Sequence, residues 1–228
     1  MREPSEHHLE VVRTARYWVL GRDVPAPAQV WFVLHGYRQL ARRFLNRFAP
    51  LADGTRWVVA PEALSRFYVE DAPGRHGPES AVGATWMTRE DREHEIADYV
   101  RYLDRLADTV LGELDGRSSP RVVVLGFSQG VATASRWAAL GRTRPHRLVL
   151  WGDFLPPDLP LDAARDRWAG VDVSLVRGEA DPIFRDAALA GAEAERLAAA
   201  GLEPRRVSYP GGHDIHQPTL QSMAGSDT

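Results

Sequence analysis

The chain has 228 residues, with 31 acidic and 28 basic side chains and a formal net charge of −3, so its charge balance gives no reason to expect nucleic acid as a partner. It contains no cysteine, which excludes thiolate catalysis, disulfides and cysteine metal sites. It also contains no lysine: all 28 basic residues are arginine, which removes a Ser–Lys dyad, a Schiff base and a Walker A phosphate loop, each of which needs an amine.

In chain order, the N-terminus Met1–His8 is polar and lacks the apolar core of a signal peptide, so a cytoplasmic location is expected. Leu9 to Leu20 predicts an opening hairpin with its turn near Thr14-Ala15. Gly21 to Pro27 is a proline-bearing loop, and Val30 to Leu34 is a continuous apolar strand of the kind buried on both faces. Leu40 to Leu51 reads as a helix, and Trp57 to Ala60 as a strand stopped by Pro61. Residues 63–87 read as a long irregular loop, and such loops inside a compact domain are usually functional. Thr88 to Leu114 reads as a long helix, with Thr88 as candidate N-cap and acidic residues in its first turn. Further strands lie near Val122, Leu148, Val173 and Val207, and further helices at Val131 to Leu140 and Asp186 to Ala200. This alternation shows no repeat, linker or composition break, and it predicts one α/β domain over residues 1–228. No apolar run reaches the length of a membrane span. Heavy use of Arg and Ala suggests a GC-rich bacterial genome.

The chemistry gathers at Gly126-Phe127-Ser128-Gln129-Gly130, where a buried-type strand runs straight into a small-residue helix. This strand–turn–helix setting turns a loose G-x-S-x-G match into a nucleophile elbow. The turn leaves almost no room for side chains two residues either side of the serine, a demand that Gly126 and Gly130 meet. Ser128 then stands at a helix N-terminus, where unpaired N–H groups favour developing negative charge. A serine hydroxyl needs a base, and the base needs an orienting acid. In this type of elbow the chain order is Ser, acid, His. Asp181 in Gly178-Glu179-Ala180-Asp181-Pro182 and His213 in Gly211-Gly212-His213 follow in that order. Each of the three falls just past the C-terminal end of a predicted strand, where sites sit in parallel α/β sheets.

These segments, with Val33-Leu34-His35-Gly36-Tyr37, make the chain resemble the α/β-hydrolase family, and within it the small carboxylesterase/phospholipase branch that includes the acyl-protein thioesterases. The resemblance implies a mostly parallel central sheet with helices on both faces and no separate cap domain. It implies a serine carboxylic-ester hydrolase that works through an acyl-enzyme on small or surface-presented acyl esters, and that needs no metal or organic cofactor. A lysophospholipase or an acyl-thioesterase is the alternative within enzymes, and a non-catalytic ligand binder retaining the fold is the alternative outside them. The elbow makes the backbone N–H of Gln129 one oxyanion donor, and the resemblance makes that of Tyr37, the residue after His-Gly, the other. Family members often carry a glycine at the next position, where this chain has Arg38.

Other readings of these residues stand beside the catalytic ones. Ser128 could be an ordinary N-cap, and Asp181 could cap the helix beyond Pro182. Asp153, after the preceding strand, is a second candidate for the acid, and His216 and His35 compete with His213. His35 reads better as structural, holding its loop through side-chain hydrogen bonds. The spacing of His213 and His216 is metal-like, but no third ligand is evident. The resemblance implies an acyl pocket built largely from loops after the strands; Tyr37, Phe67, Tyr68, Trp86, Met87, Trp151 and Phe154 fall in or near such loops and are candidates for its apolar lining, or else for ordinary core.

Overall fold

A computed structural model describes residues 3–70 and 75–225. Its centre is a sheet of seven strands: β1 (Tyr17–Leu20), β2 (Gln29–Leu34), β3 (Arg56–Pro61), β6 (Arg121–Phe127), β7 (Arg147–Trp151), β8 (Asp172–Gly178) and β9 (Arg205–Tyr209). The spatial order is β1-β3-β2-β6-β7-β8-β9, and every pair is parallel except the edge pair β1–β3. A separate antiparallel ribbon joins β4 (Ser65–Tyr68) to β5 (Val82–Thr85). The helices are α1 (Ala41–Leu45), α2 (Arg92–Gly112), α3 (Gln129–Leu140), α4 (Leu161–Trp168), α5 (Ala187–Ala199) and α6 (Gln217–Gly225).

The apolar run in β2 explains the layering. Successive side chains of a strand point to opposite faces, so a run with no polar break must be covered on both. Val30, Phe32 and Leu34 enter one core with Leu103 and Val110 of α2, Val131 and Trp137 of α3 and Leu197 of α5. Trp31 and Val33 enter a second core on the other face, with Phe44 of α1 and Leu220 and Met223 of α6. The fold is thus the expected mostly parallel sheet with helices on both faces, and the ribbon is an excursion of two short strands rather than a cap domain.

Several local expectations differ. Only Tyr17–Leu20 of the predicted hairpin is a strand, and its partner is β3, in the register Tyr17↔Pro61 to Leu20↔Val58. Leu9, Val11 and Val12 lie exposed, because the strand that completes β1 comes forty residues later rather than just before it. The Leu40–Leu51 helix breaks after Leu45 into a 3-10 segment, Asn46–Leu51, that contains Pro50. α2 begins at Arg92 rather than Thr88, since Asp91 adopts a left-handed φ of 46° that interrupts the helix; the Thr88 N–H instead donates to Glu95 Oε2 at 2.5 Å. The 63–87 loop contains the ribbon, and α4 and α6 are further helices of the chain.

The order of strands fixes where a site can form. β2 leads to β3 on one side, whereas β6 leads to β7 on the other, so the chain reverses direction between β2 and β6. A crevice opens at the carboxyl ends of two such strands. His35-Gly36-Tyr37-Arg38 leaves β2 there, and Ser128 leaves β6.

Candidate active site

Ser128 sits between β6 and α3 with φ 53° and ψ −125°, a conformation that costs an L-residue about 1–3 kcal/mol. Its N–H donates to Trp151 O at 2.9 Å and its carbonyl accepts from Val131 N–H at 2.7 Å, so the strain is held from both sides. Gly126 makes the turn possible, because a Cβ there would overlap the Gly130 carbonyl and come within 2.8 Å of Ala134 Cβ. The hydroxyl makes no capping bond to α3. An N-cap serine has extended backbone and accepts from the N2 or N3 amide, so Ser128 does not have the geometry of an ordinary cap.

Asp181 and His213 meet. His213 Nδ1 lies 2.8 Å from Asp181 Oδ2, and Asp181 Oδ1 accepts the Ile183 N–H at 3.0 Å. Asp181 is therefore both the cap of the short 3-10 helix after it and the partner of the histidine. It is buried while His213 remains partly open, with its ring 4.9 Å from that of Phe127, the residue before the serine. The histidine loop is pinned from below. Ala180 N–H donates to Gly211 O at 2.9 Å, the Tyr209 hydroxyl lies 2.8 Å from Gly212 O and 2.7 Å from Asp214 O, and Trp151 Nε1 donates to Asp214 O at 3.0 Å. Trp151 is thus a buried support of this loop.

The rivals occupy other roles. Asp153 spends Oδ1 on the Phe154 N–H at 2.8 Å, and burial raises its pKa although the charge of His213 pulls it down. His216 lies parallel to the Tyr209 ring at 5.2 Å and pairs with Thr219 Oγ1. His35 is fully buried: Nδ1 donates to Gly36 O at 2.8 Å while Nε2 accepts the Ala63 N–H at 3.1 Å. Burial lowers its pKa from 6.5 to about 4, outweighing the Gly36 carbonyl and the Glu62 charge, so it is a neutral structural group. Among the described residues, three potential metal-ligand atoms converge at His8, Asp91 and His94, all exposed and none of them part of this constellation.

The loop after β2 leaves a backbone donor free beside its turn. Gly36 N–H donates to Gln39 Oε1 at 2.9 Å, Arg38 N–H to Ala84 O at 3.0 Å and Gln39 N–H to Gly36 O at 3.2 Å. The Tyr37 N–H has no partner among the described residues. Gln129 opens α3, and the first N–H groups of a helix have no intrahelical acceptor. Arg38 holds a φ of 66°, the left-handed region that favours glycine, and so keeps the turn that a glycine at this position would take.

The expected lining residues divide. Tyr37 is exposed and stacks on Phe67 at 5.4 Å, beside the free N–H. Tyr68 is exposed and stacks on His76 at 3.9 Å. Phe154 packs edge-on to Phe184 at 4.9 Å. Met87 is partly buried, its sulfur near Arg92 and Arg136. Trp86 takes the core alternative: only 3% exposed, it donates its indole N–H to His35 O at 2.8 Å. Gln39, Phe127 and the Gln129 side chain touch the site without having been singled out, and the sequence carried no signal for their partners. A hollow of about 330 Å³ between Trp168, Val171 and Leu202 lies at the start of β8, at the amino ends of the strands, whereas Ser128 lies at the carboxyl ends.

No protein-family model and no curated protein sequence matches the chain. Solved structures do. Esterase PE8 is 19% identical with a TM-score of 0.60, covering 93% of this chain and 97% of its own. Acyl-protein thioesterase 2 from Zea mays is 16% identical with a TM-score of 0.62, covering 92% of this chain and 96% of its own. The Bacillus cereus carboxylesterase is 16% identical with a TM-score of 0.61, covering 92% of both. With the strand order above, these likenesses show that the chain has the α/β-hydrolase fold.

Proposed function

We propose that the protein is a serine hydrolase of carboxylic esters with Ser128, His213 and Asp181 as its catalytic residues. Two observations support this: a strained, uncapped Ser128 on a β-strand–helix turn, and a buried Asp181 bonded at 2.8 Å to Nδ1 of His213, whose ring lies 4.9 Å from that of Phe127, the residue before the serine. With Nδ1–H committed to Asp181, the other ring nitrogen is the free base, and the carboxylate holds that tautomer. Ser128 Oγ attacks the acyl carbon as His213 Nε2 takes its proton. The charge that develops on the carbonyl oxygen falls to the N–H groups of Gln129 and Tyr37. As the tetrahedral species collapses, His213 gives the proton to the departing alcohol, and water then repeats the sequence on the acyl-enzyme. Every step uses the chain's own groups. The exposed Tyr37–Phe67 pair beside the donors suits an acyl chain or aryl ester reached from the surface.

A thioester substrate is the second reading. It is favoured by the likeness to the maize acyl-protein thioesterase, and the same machinery serves a thiol leaving group.

A fluorophosphonate probe tests the proposal. Labelling of Ser128, located by peptide mass spectrometry and lost in His213→Ala, is the expected result, and Ser128→Ala should lower kcat by roughly 10⁴–10⁶. A folded wild-type protein that takes up no label would overturn the reading in favour of a non-catalytic binder. Parallel assays on p-nitrophenyl esters, acyl-thioesters and lysophospholipids then separate the substrate classes.

A further inference from the structure

We infer that the side chain of Gln129 is a positioning residue, which sets the spacing between the two oxyanion donors through the base of the β4–β5 ribbon. The inference rests on the esterase reading above.

The donors come from segments far apart in sequence, one after β2 and one after β6. Backbone pairing of these strands, Leu34↔Gly126, fixes the sheet only as far as its edge. Beyond that edge the loop at residues 35–38 is held by the ribbon. Arg38 N–H donates to Ala84 O at 3.0 Å, and Trp86 Nε1 donates to His35 O at 2.8 Å. Gly83 packs so closely on Arg38 that a Cβ would come within 2.6 Å of its carbonyl oxygen. The ribbon is held in turn by Gln129. Its Oε1 accepts the Trp86 N–H at 3.1 Å, and its Nε2 donates to Met87 O at 3.0 Å. Thr85 Oγ1 lies 2.9 Å from Gln129 Nε2 and itself donates to Met87 O at 2.9 Å.

The bonds close a circuit: from the amide of the residue after the nucleophile, through 84–87, to His35 and Arg38, and so to the free N–H of Tyr37 between them. One residue thereby offers a backbone donor to the oxyanion and, through its side chain, places the other donor. The base of the ribbon is a strut between the two loops. A primary amide suits the task, because it carries an acceptor oxygen and a donor nitrogen on one planar group, and glutamine sets that group one methylene farther from the backbone than asparagine would.

Gln129→Met keeps the length and the backbone N–H but removes the polar contacts to Trp86, Met87 and Thr85. Misplacing an oxyanion donor by a fraction of an ångström should lower kcat per active site by about 10- to 100-fold with KM little changed. Active sites are counted by burst titration, so a variant that merely folds poorly shows fewer sites, each of normal speed. Affinity for a trifluoromethyl ketone, whose adduct carries the oxyanion, should fall in parallel with kcat. Gln129→Glu, which can still accept from Trp86 but cannot donate to Met87 while ionised, should fall between. Normal turnover per titrated site in Gln129→Met would overturn the inference while leaving the esterase reading intact. Absence of a titratable serine in the wild type would instead remove the reading beneath it.

Discussion

His35 gives the clearest quantitative test of how the loop after β2 is built. Its ring is fully buried, bonded at both nitrogens, and its pKa is lowered from 6.5 to about 4 by that burial. Between these two values the unfolded chain binds a proton at this site and the folded chain does not. The stability gained from a neutral His35 is therefore complete above pH 6.5 and drains away as the pH falls towards 4. The slope is about 1.4 kcal/mol per pH unit, which amounts to about 2 kcal/mol between pH 6.5 and 5, and about 3 kcal/mol over the whole window. Urea unfolding of the wild type and of His35→Asn at pH 7.5, 6.5, 5.5 and 5.0 isolates the effect. The variant cannot take up the proton, although its amide can still reach Gly36 O. Other acid-sensitive groups act on both proteins alike, so the stability gap between them should narrow on acidification by the amounts above. A gap that stays constant from pH 7.5 to 5.0 would refute the reasoning, since a neutral buried ring could not then be what the fold selects.

Two further outcomes test the site. Asp181→Asn should lose about 10⁴ in kcat, because an amide can stabilise the wrong imidazole tautomer, whereas Asp153→Asn, whose carboxylate bonds the Phe154 N–H, should lose less than about tenfold on a short-chain ester; the reverse ranking would move the acid to Asp153. Gly126→Ala should abolish soluble folded protein, because its Cβ would overlap the Gly130 carbonyl, while Gly77→Ala, with open space around it, should leave Tm within a few degrees of wild type; a well-folded Gly126→Ala measured by circular dichroism would count against the elbow geometry.

What could be read from sequence follows the range of the interactions concerned. The core strands were legible because an unbroken apolar run such as Val30–Leu34 has one good outcome, burial on both faces. The elbow was legible because its demands are local: two glycines flanking a serine within five residues. The hairpin expectation failed at Leu9–Arg13 for the opposite reason, since alternation says that a strand is possible but not which partner will pair with it, and β1 pairs with β3. The ribbon escaped notice because its strands have four residues each and lie thirteen residues apart. Trp86 looked like pocket lining because an aromatic in a loop gives no sign of which way it turns; the acceptor that turns it inward, His35 O, is 51 residues away. The double use of Gln129 was hidden in the same way, because its side-chain partners are set by the fold and not by neighbours in sequence.

The backbone at Ser128 has a consequence on a longer timescale. Glycine would occupy its φ of 53° without strain, so a chain that no longer needed the hydroxyl would gain stability by exchanging serine for it. Stability alone therefore favours glycine at position 128, and on the proposed reading it is the nucleophile that keeps serine there. In a lineage descended from this protein, the residue at 128 would record whether the chemistry was still under selection.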